Sequence, residues 1–181
     1  GQGQFIKEGS GTVVVDAANT YTGGTVIRGG RLGLNDGGGL GTGTVQVDSG
    51  AVLGIGGITL ANTVTGTGQV IKTASNVATL TGTNLGFTGE LRVEQGTVAV
   101  QDTRALGLGQ VSLTSGTTLA IQNATDQSLD AILYGEGTLV KSGGGQLSIL
   151  DGTNPFVGNI EVDGGSLRVD GSGSSGFGNI D

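Results

Sequence analysis

The sequence predicts an all-β fold, a right-handed parallel β-helix that forms a three-faced solenoid of about eight coils. Three observations support this prediction. Glycine supplies 40 of the 181 residues while proline occurs once, pairs of alternating apolar residues return at short and nearly regular intervals, and a larger unit occurs three times. These observations describe the turns, the coils and the repeat units of the fold, respectively.

The composition favours strands and tight turns over helices. Valine, leucine and isoleucine dominate the apolar residues, and threonine, serine, glutamine and asparagine are frequent among the polar ones, a mixture that suits half-buried strands. Aromatic residues make up 3% of the chain and charged residues 13%, so the chain resembles neither an ordinary mixed domain nor a charged, disordered segment. We therefore expect many short strands joined by glycine-rich turns.

Residue types and charge exclude several classes of functional site. Cysteine, histidine, methionine and tryptophan are absent, which removes disulfides, thiolate or imidazole metal sites and nucleophiles paired with histidine. The net charge is −7 and the eight basic residues are scattered, so we expect no nucleic-acid partner. No apolar run approaches the roughly 20 residues of a membrane-spanning helix. We expect no metal, no cofactor and no direct membrane insertion of this segment.

The larger repeat is seen in three related stretches, GQGQFIK (1–7), GTGQVIK (66–72) and GEGTLVK (135–141). Their final lysines, Lys7, Lys72 and Lys141, recur at nearly equal intervals. This spacing divides one β-helix segment, residues 1–181, into units of approximately 1–65, 66–134 and 135–181. The chain starts and stops within such units, so we expect it to be a fragment of a longer protein.

The finer repeat predicts the coils. Alternating apolar pairs, which we call the first strand series, follow glycine turns at Val13/Val15, Leu32/Leu34, Leu53/Ile55, Ala78/Leu80, Val98/Val100, Leu119/Ile121, Leu147/Ile149 and Leu167/Val169. A strand face thus returns every ~20 residues, a period typical of stacked repeats. The intervals from Ile55 to Leu80 and from Ile121 to Ile149 are longer, which predicts insertions around residues 56–69 and 122–138.

Two further series complete each coil. A second strand series lies just upstream of the first, at Thr25/Ile27, Val45/Val47, Leu91/Val93, Val111/Leu113 and Ile160/Val162, and a third series supplies one large side chain per coil. Strands this short bury their inward residues only by stacking, which predicts a continuous apolar column. A β-sandwich also has short strands, but it does not require a three-part pattern at fixed spacing. Gly30, Gly96 and Gly165 are expected at corners with left-handed backbone conformation.

The segment NTYTGGTVIRGGRL, residues 19–32, resembles the passenger-associated repeat of bacterial autotransporters, whose typical pattern is N-x-Y-x-G-x-T-x-[VIL]-x-x-G-x-L. Residues 84–98 and 154–167 are weaker copies. The resemblance implies a passenger exported through the periplasm and an outer-membrane barrel, which would lie C-terminal to this segment. It further implies a β-helical stalk that is exposed on the cell surface or secreted.

What the resemblance implies for function is adhesion, self-association or display of other domains, with other passenger copies or host and cell-surface molecules as partners. We expect no enzyme activity. A polysaccharide-degrading β-helix remains an alternative, but its candidate carboxylates follow strands closely, where turn residues are common: Asp16, Asp36, Asp102, Asp151 and Asp170. An ice-binding β-helix is a further alternative. Its suggestive residues are Thr63 and Thr65 and then Thr79, Thr81 and Thr83, but the equivalent strands of neighbouring coils break a Thr-x-Thr ladder.

Two sets of repeated side chains are interpreted as structural. Lys7, Lys72 and Lys141 are expected to cover a strand edge with their aliphatic stems while the amines stay hydrated. The aromatic residues that recur once per unit are Tyr21, Phe87 and Phe156, and we expect them to pack in the core rather than to stack on sugars.

The outward residues between the inward pairs of the first strand series form the candidate interaction face. Its members are Val14, Thr79, Ala99, Ala120 and Ser148, together with Gly33, Gly54 and Arg168. Most are small and uncharged, so we expect stacked coils to present one flat strip without the protruding charges that discourage contact.

Overall fold

A computed structural model describes residues 1–149 and 155–169 of the chain. In these ranges the chain forms short strands and one 3-10 helix, Thr103–Leu106. The strands in chain order are β1 (Phe5–Lys7), β2 (Thr12–Val15), β3 (Thr25–Ile27), β4 (Arg31–Leu34), β5 (Val45–Val47), β6 (Val52–Ile55), β7 (Thr59–Leu60), β8 (Val64–Gly66), β9 (Gln69–Lys72), β10 (Val77–Leu80), β11 (Glu90–Val93), β12 (Thr97–Val100), β13 (Gln110–Leu113), β14 (Thr118–Gln122), β15 (Gln127–Leu129), β16 (Ile132–Gly135), β17 (Thr138–Ser142), β18 (Gln146–Ile149), β19 (Asn159–Val162) and β20 (Ser166–Val169). No helix among these elements has the length and apolar character needed to cross a membrane.

The strands form four sheets. Sheet A has the order β1-β3-β5-β8, sheet B the order β2-β4-β6-β9-β11-β13-β16, sheet C the order β7-β10-β12-β14-β17-β19 and sheet D the order β15-β18-β20. Neighbouring strands pair in parallel with a partner one coil away, as Val15 does with Leu34 and Leu34 with Ile55. The predicted parallel β-helix is therefore confirmed, including the ladder that joins these three residues.

Inward side chains form a dry column along the axis. Leu32, Leu53, Leu119 and Leu139 have no exposed surface, because each inward residue stacks on its counterpart in the next coil. The corner glycines Gly30, Gly96 and Gly165 have φ values of 66°, 70° and 68°, which confirms the predicted left-handed turns.

The aromatic residues that recur once per unit differ in burial. Phe87 is 2% exposed and Phe156 is fully buried, and they form isolated parallel bridges with Gly66 and Gly135. Their core packing is thus confirmed. Tyr21 is half-buried and stacks on Phe5 with ring centroids 6.4 Å apart.

The predicted insertions are wrong. Residues 56–69 contain β7 and β8, and residues 122–138 contain β15 and β16, so both segments continue the coil. Ile55 pairs with Lys72 rather than with Leu80, and Ile121 pairs with Lys141 rather than with Ile149. The first strand series is consequently divided among sheets B, C and D.

This division arises because a repeat unit is not a whole number of coils. The first unit starts with β1 and β2 in sheets A and B, the second with β9 and β10 in sheets B and C, and the third with β17 and β18 in sheets C and D. Sheet D lies on the same side of the helix as sheet A. The 3-10 helix occupies this side between β12 of sheet C and β13 of sheet B, and its Thr103 hydroxyl donates to the Ser128 carbonyl in β15 of sheet D. Each unit therefore advances by three coils plus one further face.

Candidate functional site

The outer face of sheet C is uncharged from β7 to β17. One outward column contains Val77, Thr97, Thr118, Thr138 and Asn159, and the other contains Thr59, Thr79, Ala99, Ala120, Val140 and Glu161. From Thr59 to Val140 neither column carries a charge, and Glu161 is the first ionisable side chain. Because coils stack at about 4.8 Å, these side chains form a regular, flat array.

Hydroxyl and methyl groups alternate across this array. Thr97, Thr118 and Thr138 lie directly above one another, beside Ala99 and Ala120. Ala99 is only 8% exposed, whereas Val77 at the same face is 53% exposed. The face therefore combines the exposed methyl groups of Val77 with half-buried threonine hydroxyls able to donate and accept hydrogen bonds.

The structure does not bring all predicted interaction residues together. Thr79, Ala99 and Ala120 share one column of sheet C, but Val14, Gly33 and Gly54 lie on sheet B, and Ser148 and Arg168 lie on sheet D. A single strip is wrong because each repeat unit starts one face further round the helix. The role of these residues in association stays a prediction.

The outer face of sheet B has a different, charged character. The guanidinium of Arg31 lies over Gly54, in the space that a Cβ there would occupy. Gln69 donates to the Glu90 carboxylate at 2.8 Å, and the Tyr134 hydroxyl donates to the Gln110 side-chain oxygen at 2.6 Å, with the Glu90 carboxylate 3.4 Å away. Burial raises the pKa of the Tyr134 phenol, and the nearby Glu90 carboxylate raises it further. Side-chain contacts already occupy this face.

The candidate carboxylates take part in turns. Asp16 accepts a 2.6 Å hydrogen bond from the Asn35 side chain, and Asp36 accepts from the Gly38 amide at 2.8 Å. Asp102 caps the 3-10 helix, and its hydrogen bonds with the Arg104 side chain are the main reason that its pKa is lowered. These positions match the predicted turn chemistry, while Asp151 and Asp170 lie outside the described residues.

An open depression of about 360 Å³ lies beside this 3-10 helix, with Asp102, Asp126 and Asp130 on its lining. Asp126 accepts from the Gln146 amide at 2.8 Å, and Asp102 is bound by Arg104. In residues 1–149 and 155–169 no group of three or more acidic side chains is arranged to hold a metal ion.

The prediction for the lysines is wrong, because their amines are not hydrated at a strand edge. Lys72 and Lys141 are fully buried and Lys7 is 5% exposed. The Lys7 ammonium donates to the carbonyls of Glu8, Gly9 and Gly29 at 2.7, 2.8 and 2.9 Å. The side chain thus points into the column and ends under a turn.

The other two lysines repeat this arrangement. Lys141 donates to Ser142, Gly143 and Gly164 at 2.9, 3.0 and 2.9 Å, and Lys72 donates to Ala74 and, at 3.3 Å, to Gln95. None of the described ion pairs involves a lysine. Burial lowers the pKa of both Lys72 and Lys141.

The alternation of the sequence contains the signal that identifies these lysines as inward. Each lysine lies two residues after an apolar or aromatic strand residue, namely Phe5, Val70 and Leu139. In a strand, residues two apart face the same side. Lysine is seldom buried, and the sequence prediction rests on this general property rather than on the inward position that the strand alternation gives each lysine.

Buried asparagines form further contacts between coils. Asn62 donates to the Gly41 and Gly43 carbonyls at 3.1 and 2.8 Å. Asn84 accepts from the Val64 amide at 2.7 Å and donates to the Ala105 carbonyl at 2.6 Å, so it joins three successive coils. These polar contacts are compatible with a dry column because they satisfy backbone groups at its corners.

Comparison with known proteins places the chain among secreted bacterial proteins. The family model described as passenger-associated-transport-repeat matches residues 5–34, 70–100 and 139–169, about half of the chain. The chain is also 29% identical over 189 aligned positions to the adhesin BmaC autotransporter of Brucella suis biovar 1 (strain 1330). That alignment covers 92% of this chain but 5% of the relative. No solved structure matches the chain.

The three matched ranges begin with the strands that contain the buried lysines, and each ends with the second strand of the following coil. One copy of the repeat therefore supplies two strands to each of two faces, and the lysine connects the two coils to which these strands belong. The turn between the two pairs of strands lies on the third face. The chain belongs to the passenger-associated transport repeat family and is a β-helical segment of an autotransporter passenger, a protein exposed on the bacterial surface or secreted.

Proposed function

We propose that this segment is a stalk in an adhesive passenger and that it associates side by side with a second copy through the outer face of sheet C. The relative that covers most of the chain is named an adhesin, which supports an adhesive rather than a catalytic role. The observation that carries the proposal is the uncharged array from Thr59 to Val140.

The net charge of the molecule favours contact through an uncharged face. The chain has 15 acidic and 8 basic residues, so two copies repel each other over most of their surface. Two uncharged faces of Thr97, Thr118, Ala120 and their neighbours meet without bringing carboxylates together. Each coil contributes a little burial of methyl groups and backbone, so the affinity grows with the number of coils in register.

Placing charge on this face tests the proposal. Ala120→Glu and Val140→Glu together put two carboxylates on adjacent coils of sheet C, at outward positions that are half-buried rather than buried. We expect the double variant to fold normally by far-UV circular dichroism but to sediment as a monomer where the parent associates. Bacteria that display the variant in the full-length passenger should clump less.

A matched control separates position from charge. Gln46→Glu and Thr65→Glu add the same charge on adjacent coils of sheet A. This variant should associate like the parent. If the sheet C variant is folded and associates as strongly as the parent, the proposed contact is wrong; if both variants lose association equally, net charge rather than this face controls it.

The salt dependence gives a second measurement. Because the facing surfaces are uncharged and the rest of the molecule is acidic, added salt screens the repulsion and should strengthen association. Sedimentation at low and high ionic strength measures this effect. Association that weakens with salt would indicate ion pairs at the contact instead, and binding of a host glycan without self-association would indicate a different occupant of the face.

A further inference from the structure

The buried lysines connect each repeat to the coil that follows it. Besides the carbonyls of its own turn, each ammonium donates to one carbonyl of the next coil, contributed by Gly29, Gln95 and Gly164. In every case that acceptor immediately precedes a glycine with positive φ, at Gly30, Gly96 or Gly165. The same contact is therefore built three times, once in each repeat.

The apolar pattern alone does not fix how two coils align. In β17 the inward residues are Leu139 and Lys141, and in β19 they are Ile160 and Val162. Because strand side chains alternate, a slip of two residues keeps the apolar residues inward and the polar residues outward. Such a slip shifts the strands by about 6.6 Å along their length.

The lysine distinguishes the native alignment from the slipped one. In the native register the Lys141 ammonium lies 2.9 Å from the Gly164 carbonyl. A shift of about 6.6 Å takes that acceptor out of hydrogen-bonding range while the ammonium stays covered by its own turn. An incompletely satisfied buried charge makes the slipped state unfavourable.

We propose that the buried lysine sets the coil register at the start of each repeat and that its role is specificity rather than stability. A buried polar group that selects one register at some cost in stability is a known use of such groups. The coils that contain Asn62 and Asn84 have their own polar contacts across coils. Between the coils of β17 and β19, Lys141 is the one described buried side chain with a polar contact across the boundary.

Disulfide trapping reads the register directly, because the chain has no cysteine of its own. Val140 lies opposite Glu161 in the native register, so Val140→Cys with Glu161→Cys should form a disulfide. Val140→Cys with Asn159→Cys reports the strand shifted by two residues, since in the native register these two positions are diagonal and about 8 Å apart, too far for a disulfide. Both pairs are placed in the parent and in a Lys141→Met background.

With Lys141 present, we expect the native pair to form and the slipped pair to remain at background. In Lys141→Met, the slipped pair should increase severalfold, while the denaturant midpoint stays equal or rises. Lys72→Met in the same reporter chains is the matched control, and it should leave both pairs as in the parent.

Three results would overturn the proposal. The first is a folded Lys141→Met chain with the slipped pair still at background, which would mean that the register is set elsewhere. The second is a Lys141→Met chain that loses its folded structure or has a lowered midpoint, which would assign the lysine to stability. The third is equal slippage in the Lys72→Met control, which would show a general loosening.

Discussion

Leu119 shows how strongly a single inward position depends on the apolar column. It is fully buried between Val98 and Leu139 on the adjacent coils. We predict that Leu119→Asp lowers the free energy of unfolding by on the order of 3–5 kcal/mol, because a carboxyl group without a partner enters a dry site and the leucine packing is lost. Denaturant unfolding followed by circular dichroism measures the change.

The control is the outward neighbour. Ala120→Asp should change the midpoint little, because the side chain faces solvent. Ile121 is a less informative site, since it pairs with Lys141 and a carboxylate there has a cation close by. Equal midpoints for Leu119→Asp and the parent would mean that inward and outward faces have been exchanged.

The lysines predict an unusual dependence of stability on pH. Burial holds the pKa of Lys72 and Lys141 below the ordinary value of 10.5. Below the lowered pKa, both the folded and unfolded states are protonated, and folding carries the full cost of the buried ammonium. Between the lowered pKa and 10.5 the folded state releases its proton first, so the free energy of unfolding rises with pH.

We predict that the parent gains stability relative to Lys72→Met/Lys141→Met as the pH rises from neutrality through the lowered pKa values towards 10.5. Denaturant unfolding of both proteins across this range measures the difference. Tyr134, whose raised pKa lowers stability at higher pH, is present in both proteins and cancels in the comparison. A difference that is constant with pH, or that falls, would contradict the burial of charged lysines.

At the scale of elements, the turns depend on close approach between coils. Gly96 has φ of 70°, and a Cβ there would lie 2.5 Å from the Ser75 carbonyl oxygen and 2.6 Å from that of Ala74. Gly116 has φ of 79°, but a Cβ there meets no atom within 4 Å. The two glycines thus separate backbone strain from collision with the neighbouring coil.

We predict that Gly116→Ala costs about 1–2 kcal/mol, the cost of a left-handed residue with a Cβ. Gly96→Ala should cost clearly more, since the turn must also move away from the carbonyls of Ala74 and Ser75 in the preceding coil. Thermal and denaturant unfolding of the two variants measure the difference. Equal costs would show that the coils are less closely packed at this corner than the structure indicates.

The strands and their alternation could be predicted from the sequence, but their partners only in part. Val15, Leu34 and Ile55 were placed in one ladder correctly, because they lie within a single repeat unit. After Ile55 the prediction followed Leu80, which has the same local pattern but lies on the next face. Two consecutive faces with equivalent turns and apolar pairs look alike in sequence, so the change of face has no local signal.

Which outward residues share the face of sheet C could be predicted only in part for the same reason, and their role in association stays a prediction. Thr79, Ala99 and Ala120 were grouped correctly because they belong to one unit, whereas Val14 and Ser148 belong to others. Thr97, Thr118 and Thr138 were missed, since they precede the inward pairs and the prediction considered only the residues between them. The lysine contacts depend on a carbonyl in the next coil, far along the chain, which no local pattern reports.

At the scale of the whole molecule, repeats that advance by one face distribute their features around the helix. Sheet C contains β7 from the first unit, β10, β12 and β14 from the second, and β17 and β19 from the third. Its outer face, which is uncharged from Thr59 to Val140, is therefore assembled from three repeats, and no single repeat contains it. A fourth unit of the same length would start on the face where the first one starts.

The central claim is that the chain is a parallel β-helix whose repeats each start one face further round, and cysteine pairs at the two unit boundaries test it most directly. Val52 lies opposite Gln69, and Ala120 lies opposite Val140, on strands of one sheet. Neighbouring strands about 4.8 Å apart are within disulfide range. We predict that Val52→Cys/Gln69→Cys and Ala120→Cys/Val140→Cys form disulfides in the folded chain, whereas Val52→Cys/Val77→Cys and Ala120→Cys/Ser148→Cys do not. Disulfides in Val52→Cys/Val77→Cys and Ala120→Cys/Ser148→Cys, with none in the other two pairs, would contradict the account. Such a result would mean that every repeat starts on the same face of the helix.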